Sequence, residues 1–485
     1  MILGAVGIGI GFMAAPKTIE DVEKILADSH HHEAAHSEKV APHAAEAHVV
    51  ADTVKATEAH VVDSTHTVAQ VAGDSTSHVV DSTVAETPVQ QVNHDAHAKA
   101  DAHSHDDHKA HLEHVLHQLQ NKPWAALYVA CIFFMLISVG VLAFYAIQYA
   151  AQAGWSPILF RVMEGITAYL LPGSIIFFVL LVAAAMHWGH NHLFVWMDPN
   201  VIDPTHADFD KLIFNKKGWL NSTRFLITAV IFLGVWNFVR FKFRKNSLAQ
   251  DAASDNSFYK KNFKLAAAFL VFFIVSESMM SWDWIMSVDP HWYSTLFGWY
   301  VFASFFVSGI TVIAMITLYL KSKGYLEYVN TSHIHDLAKF MFGISIFWTY
   351  LWFSQFLLIY YANIPEESVY FVERLTSDIY SPFIFVNLGL NFFLPFLVLM
   401  TRDSKRHGVF LKLVCSILLV GHWIDFFLMV QPGTLGHNGG IGFMEVGMFM
   451  VYGSAVALVV LGGLAKKNLI AKNHPMLEES YHHHI

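Results

Sequence analysis

Ser281-Trp-Asp-Trp-Ile-Met-Ser-Val-Asp-Pro-His-Trp-Tyr-Ser-Thr-Leu-Phe-Gly-Trp-Tyr300 joins two apolar runs, Phe263–Met286 and Trp292–Leu320. Each run reaches the ~20 residues that a helix needs to cross the hydrocarbon of a bilayer, so the stretch between them reads as a turn at a membrane surface. Asp289-Pro290 stops the helix, because a residue before proline is driven out of the α region. Trp282, Trp284, Trp292 and Tyr293 are the amphipathic rings expected at headgroup depth. Asp283 then lies at the end of a membrane helix, where a carboxylate is costly and usually functional.

The same length rule, applied outward, gives the spans Trp124–Tyr149, Ala168–His187, Trp219–Arg240, Phe263–Met286, Trp292–Leu320, Asp336–Tyr361, Tyr380–Met400, Phe410–Gln431 and Ile441–Ala465. A tenth, Met1–Ala15, is apolar but short by about one turn. It reads as a membrane helix, since it lacks the basic start of a signal segment. Its Gly7-x-Gly9-x-Gly11 points to close helix packing and not to a dinucleotide loop, because no strand precedes it. The expected organisation is a first helix (1–15), a polar insert (16–122), a first helix bundle (123–290), a second (291–432), and a last helix with its tail (433–485).

Composition agrees. Of the 485 residues 54% are hydrophobic and 14% charged, where a soluble chain carries about a quarter charged. The net charge of −9 gives no basic footprint for nucleic acid. The two cysteines, Cys131 and Cys415, lie in apolar runs with no Cys-x-x-Cys or Cys-x-x-Cys-His. That excludes covalent c-type haem and cysteine-ligated iron–sulfur clusters within this chain. His187 and His422 are the only histidines well inside spans, too few for a di-haem b arrangement.

Loop charge alternates. Arg240, Lys242, Arg244, Lys245, Lys260, Lys261, Lys321, Lys323, Arg402, Lys405, Arg406, Lys466, Lys467 and Lys472 fall on one side. Lys211, Lys216, Lys217 and Arg374 fall on the other, beside Glu366, Glu367 and Glu373. The positive-inside rule places the first set in the cytoplasm and, with ten spans, both termini there too. The insert then faces outward. It carries the near repeats His48-Val-Val-Ala-Asp-Thr, His60-Val-Val-Asp-Ser-Thr and His78-Val-Val-Asp-Ser-Thr, and ends in His108, His111, His114 and His117. It reads as a low-complexity surface loop. Its histidines also suit metal buffering, but no ligand set has closed-site spacing.

Ionisable residues inside the spans are few: Glu164 at the cytoplasmic side of the second long span, His187 (with His190) at that span's outer end, Glu277 deeper than Asp283 on the same helix, His422 and Asp425 on one face, and Glu445 opening the last span. They suit a proton path, a quinol pocket near the outer face that takes protons on oxidation, or polar contacts between helices. Asp283 and His187 are the candidates to lie beside a quinone. Ser304, Ser308 and Thr311 repeat at helical spacing and read as a packing seam. Pro172 and Pro395 interrupt two spans and free carbonyls.

Trp282-Asp-Trp-Ile-Met-Ser-x-x-Pro-x-Trp-x-Ser-Thr-x-x-Gly298-x-Tyr300, together with His187-Trp188 and Trp196-Met-Asp198-Pro199, resembles the NrfD-like (polysulfide-reductase-like) membrane subunits of alternative complex III, the bacterial quinol:cytochrome c oxidoreductase. The likeness covers roughly Trp124–Ala465 together with Met1–Glu23 and is greatest to the smaller, ActF-type subunit; the insert has no counterpart. The resemblance implies an all-α integral membrane fold of about ten helices containing two four-helix bundles, in a bacterial inner membrane. It also implies that haem c and iron–sulfur clusters reside in partner subunits, with an ActC-like sister as the better quinol site. Menaquinol would be the electron source, and cytochrome c or a terminal oxidase the acceptor. This chain would bind no redox cofactor or metal, scaffold the complex and carry protons. The alternatives are a secondary transporter, suggested by the interrupting prolines, and a purely structural anchor.

Overall fold

The computed structural model describes residues 1–14, 16, 18–24 and 95–484. The chain forms two compact units, one of Met1–Lys17 with Val115–Ile485 and one of Thr18–His114. In the second, residues 19–24 are helical and residues 95–114 begin a helix that runs Asp95–Ala150. The division between the units, at His114 and Val115, falls within that helix, and Pro123, next to the expected boundary, sits inside it too. The three histidine repeats and the side chains of His108, His111 and His114 lie outside the described residues.

Among the described residues of the first unit, nine helical runs are long and apolar enough to cross a membrane, and the protein is a multi-pass membrane protein. A shorter apolar helix, α1 (Ile2–Ala14), precedes them. The runs are α2 (Val115–Ala150), α3 (Pro157–Ala185), α4 (Ser222–Gln250), α5 (Ser257–Val288), α6 (Phe297–Ser322) and α7 (Thr331–Ala362). After the amphipathic helix α8 (Pro365–Thr376) come α9 (Ser381–Val398), α10 (Gly408–Asn438) and α11 (Phe443–Leu464). All nine long spans expected from hydropathy are present. Helix α8 was missed because its apolar residues form one stripe and not a continuous run.

Burial sorts the helices. The most apolar stretch is 94% buried in α2, 83% in α6 and 72% in α10, against 22–33% in α4, α5, α7, α9 and α11. The first three form the interior, and the others turn apolar side chains outward, as lipid requires. Helices α2 and α6 touch through glycines: a Cβ on Gly140 would lie 2.7 Å from the Phe305 carbonyl oxygen, and one on Gly309 3.0 Å from the Val141 nitrogen. Helix α1 runs antiparallel along α11, with Gly4 and Gly7 against Gly447. Of the glycines expected to pack closely, Gly7 and Gly11 do; Gly9 faces open space.

In hydrocarbon each freed carbonyl needs a partner inside the chain. Pro432 lies within the helical part of α10 and has no N–H to offer the Leu428 carbonyl. The buried Arg374 of α8 donates Nε to that carbonyl at 2.9 Å. In α9, Pro395 follows a π-turn, Gly389–Phe393, which absorbs the break. In α3, Pro172 follows a 3-10 turn, Thr167–Tyr169, that separates the α-helical stretches Phe160–Ile166 and Leu170–Ala185, so this span is interrupted as expected.

The basic loops share one end of the unit. There the segment after α11 straps across them: Lys472 N and Asn473 Nδ2 donate to Asp251, Ser480 Oγ to the Trp155 carbonyl, and Asn330 Nδ2 to the His483 carbonyl. At the other end Lys216 Nζ donates to the Pro290 carbonyl, and His291 meets Asp210 at 2.5 Å.

The α1–α11 contact is tested by Gly447→Leu. Its Cβ would lie 2.8 Å from the Gly4 carbonyl oxygen and 2.9 Å from the Ile8 nitrogen, backbone atoms that cannot give way. A loss of about 1–3 kcal/mol, seen as a lower melting midpoint in detergent, is expected; an unchanged midpoint contradicts the packing.

Candidate functional site

Three buried polar clusters lie within the spans. The most enclosed surrounds Asp425 in the interior, where α6, α7, α9 and α10 meet. Asp425 and His422 are both fully buried and sit one helical turn apart on α10. Asp425 accepts hydrogen bonds from Ser304 Oγ (2.8 Å), Trp348 Nε1 (2.9 Å), Asn387 Nδ2 (2.9 Å) and the Tyr300 hydroxyl. Ser304 Oγ also lies 3.0 Å from His422 Nδ1. The hydroxyl thus bridges imidazole and carboxylate: it donates to Asp425 while receiving the Nδ1 proton.

All four donors to Asp425 are neutral, and the titratable neighbour within ion-pair reach is His422 at 3.8 Å. Unlike a carboxylate paired with arginine, Asp425 is held by neutral donors alone, with an imidazole beside it. Asn391 extends the cluster by donating to Asn387 Oδ1 at 2.5 Å, from inside the π-turn of α9. His422 Nε2 and Asn391 Oδ1 are buried and meet no partner among the described residues. Such atoms mark places for ordered water. Ser308 and Thr311 bond back to their own helix carbonyls, and Ser304 alone of that stripe joins the cluster.

The second cluster holds Asp283, which is fully buried. Arg224 grips it with both terminal nitrogens, at 2.9 and 2.8 Å, and Thr228 Oγ1 adds a third bond at 3.1 Å. Arg224 is fixed in turn by the Trp219 ring, 4.3 Å away, and by the Trp219 carbonyl at 2.5 Å. Asp283 is therefore a clamped anion tying α4 to α5, with no free face for a ligand. Beside it lies a groove of about 350 Å³ lined by Trp219, Trp282, Met286, Trp292, Tyr293 and Lys216. Burial holds the Lys216 ammonium below the ordinary lysine range, with Asp289 and Asp210 opposing.

The third cluster is at the basic end. Glu164 accepts from Arg161 (2.9 Å), Tyr145 (2.8 Å) and Arg244, and Arg161 also meets Asp251 at 2.5 Å. This joins α2, α3 and α4 to the strap. Beneath the strap His474 is packed by the rings of Phe160, Tyr149 and Tyr259. Burial pushes its imidazole down to about 4.

Comparison with protein-family models and with curated proteins finds no match.

The remaining expected residues are scattered. Glu277 is buried with Oε2 accepting from Ser278 and Oε1 unpartnered among the described residues. His187 stacks on His192 (centroids 5.2 Å) and reaches the Met197 carbonyl at 3.4 Å. Burial, then His187 and His117, lower His192. No group of histidine, cysteine and carboxylate side chains among the described residues has metal-holding geometry. Glu445 caps α11, accepting from Gly442 N at 2.8 Å. Sequence reading missed Arg224, Arg161, Tyr300, Trp348, Asn387 and Asn391. Asn387 and Asn391, four apart in an apolar run, were the available signal.

Two expectations follow. Asp283→Asn leaves Arg224 half-paired and lowers stability by about 2–3 kcal/mol; a wild-type melting midpoint contradicts the clamp. His474 binds a proton more weakly folded than unfolded, so its contribution is complete above pH ~6.5 and lost as pH falls toward about 4. The wild-type midpoint should fall more steeply over that window than that of His474→Phe; parallel slopes contradict it.

Proposed function

We propose that this chain is an NrfD-like membrane subunit of a respiratory quinol:cytochrome c oxidoreductase of the alternative complex III type. It scaffolds the complex and carries protons, while iron–sulfur and c-type haem partners and an ActC-like sister carry the electrons. The observation that carries the proton role is the Asp425–Ser304–His422 bridge, a buried carboxylate held by neutral donors with unpartnered polar atoms around it. With these directions a proton passes from His422 Nδ1 to Ser304 Oγ as the Ser304 hydroxyl proton passes to Asp425, and the imidazole takes up its replacement at Nε2, the nitrogen with no partner among the described residues. Glu277, on the adjacent α5, and Glu164, among its arginines, are the further stations toward the two ends.

The family motif around Asp283 serves the scaffold in this reading. The acid is spent on Arg224, so a quinol seated nearby would meet the aromatic groove and Lys216 and not the carboxylate. The resemblance and the loop charges support an inner-membrane orientation, with the basic end in the cytoplasm and the histidine-rich insert in the periplasm. The antiparallel course of α1 along α11 fits both termini on one side.

A secondary transporter is the second reading, favoured by the π-turn that breaks α9 next to a buried acid. Purification separates the two: a respiratory subunit copurifies with haem-bearing partners, a transporter comes out colourless and alone. Within an assembled complex, Asp425→Asn should reduce protons released per electron while leaving haem content and assembly intact. Unchanged stoichiometry in Asp425→Asn and in Glu277→Gln removes the proton role and leaves a structural anchor.

A further inference from the structure

A groove of about 560 Å³ opens between α2, α6, α10 and α11, away from the three polar clusters. Phe134, Ile316, Tyr319, Leu419, Phe449 and Val460 form its walls, and only Tyr319 and Ser454 of its lining side chains carry an oxygen. Along α11 it reaches from Phe449 to Leu461, ~18 Å at the helical rise. That is about one leaflet of a ~30 Å hydrocarbon layer. Its lining stops a turn short of the basic end, since Tyr319 and Leu461 each precede a helix terminus by three residues.

Lysines crown that end. Lys323 follows α6 and holds its ammonium 6.0 Å from the Tyr319 ring. Lys412 lies two turns from Leu419 on the same face of α10. Lys466 and Lys467 follow α11. Among the described residues no carboxylate forms an ion pair with any of the four. An apolar slot one leaflet deep, ending under unpaired ammonium groups, matches one molecular class: an acyl chain joined to an anionic phosphate.

We infer that the groove seats one acyl chain of an anionic phospholipid, whose phosphate the lysines of the basic end bind. The inference rests on the multi-pass fold and these side chains, independently of the respiratory reading. A bound chain fills the opening beside the direct contact of Phe134 with Phe449, so the lipid acts as a structural ligand adding to the packing of α11 on the central α2 and α6.

The test uses the full chain, in whatever assembly it purifies with, in bilayer discs of phosphatidylcholine alone or doped with phosphatidylglycerol. Lipids retained after extraction are weighed by native mass spectrometry. The wild type should retain phosphatidylglycerol over phosphatidylcholine by about threefold or more relative to their supply, and melt higher in the doped discs. Ala457→Trp, which fills the slot, should lose the retained lipid. Val312→Phe, on the opposite wall, should do the same if the first variant does not fold. Lys323→Ala with Lys412→Ala should keep a lipid but lose the preference for the anionic headgroup. Equal retention of both lipids by the wild type overturns the headgroup assignment. Undiminished retention in the filled variants overturns the seat. A partner helix cross-linking to Gly453→Cys in the assembled complex overturns the occupant.

Discussion

In hydrocarbon a polar group has no water to fall back on, and that constraint organises the interior of this protein. Wherever a proline or a bend frees a backbone carbonyl, a side chain or a local change of helix geometry restores the balance: Arg374 for the Leu428 carbonyl, the π-turn before Pro395. The same constraint separates the fully buried Asp283 from the fully buried Asp425. Asp283 is neutralised by a bidentate arginine that is itself pinned by Trp219, which makes it a joint between helices. Asp425 is held by four neutral donors beside a histidine, and among the described residues no arginine or lysine pairs with it.

Packing carries that polar interior. The glycine contact of α2 with α6 brings two nearly enclosed helices together, and α10 completes the centre. Ser304 can face Asp425 and His422 only because α6 is held there. At the basic end the strap after α11 closes over Glu164 and its arginines through Asp251. The acid at this end is thereby covered by protein. Along one flank, the apolar slot under the lysines is the place where the bilayer itself completes the packing.

Much of this was legible in the sequence. Runs of twenty apolar residues gave every long span, because length and hydropathy are properties of a segment alone. The pairing of His422 with Asp425 followed from their spacing on one helix. What stayed hidden depends on partners far along the chain. Asp283 looked like a free acid because Arg224, its clamp, lies 59 positions away. The donors to Asp425 come from three other helices, and nothing in the local pattern of Tyr300 or Trp348 announces a role. Arg374 read as loop charge, since its task exists only once α8 meets the proline of α10.

The central claim is that Asp425 changes its protonation state while Asp283 does not. Infrared difference spectroscopy of the purified assembly, recorded as quinol is supplied, tests it directly. The account predicts a protonated-carboxyl band that appears or vanishes with turnover, is absent in Asp425→Asn and is retained in the wild type in dry, low-dielectric frequency range. A difference spectrum without such a band, or one whose carboxyl signal survives Asp425→Asn and disappears on removing Asp283, contradicts it.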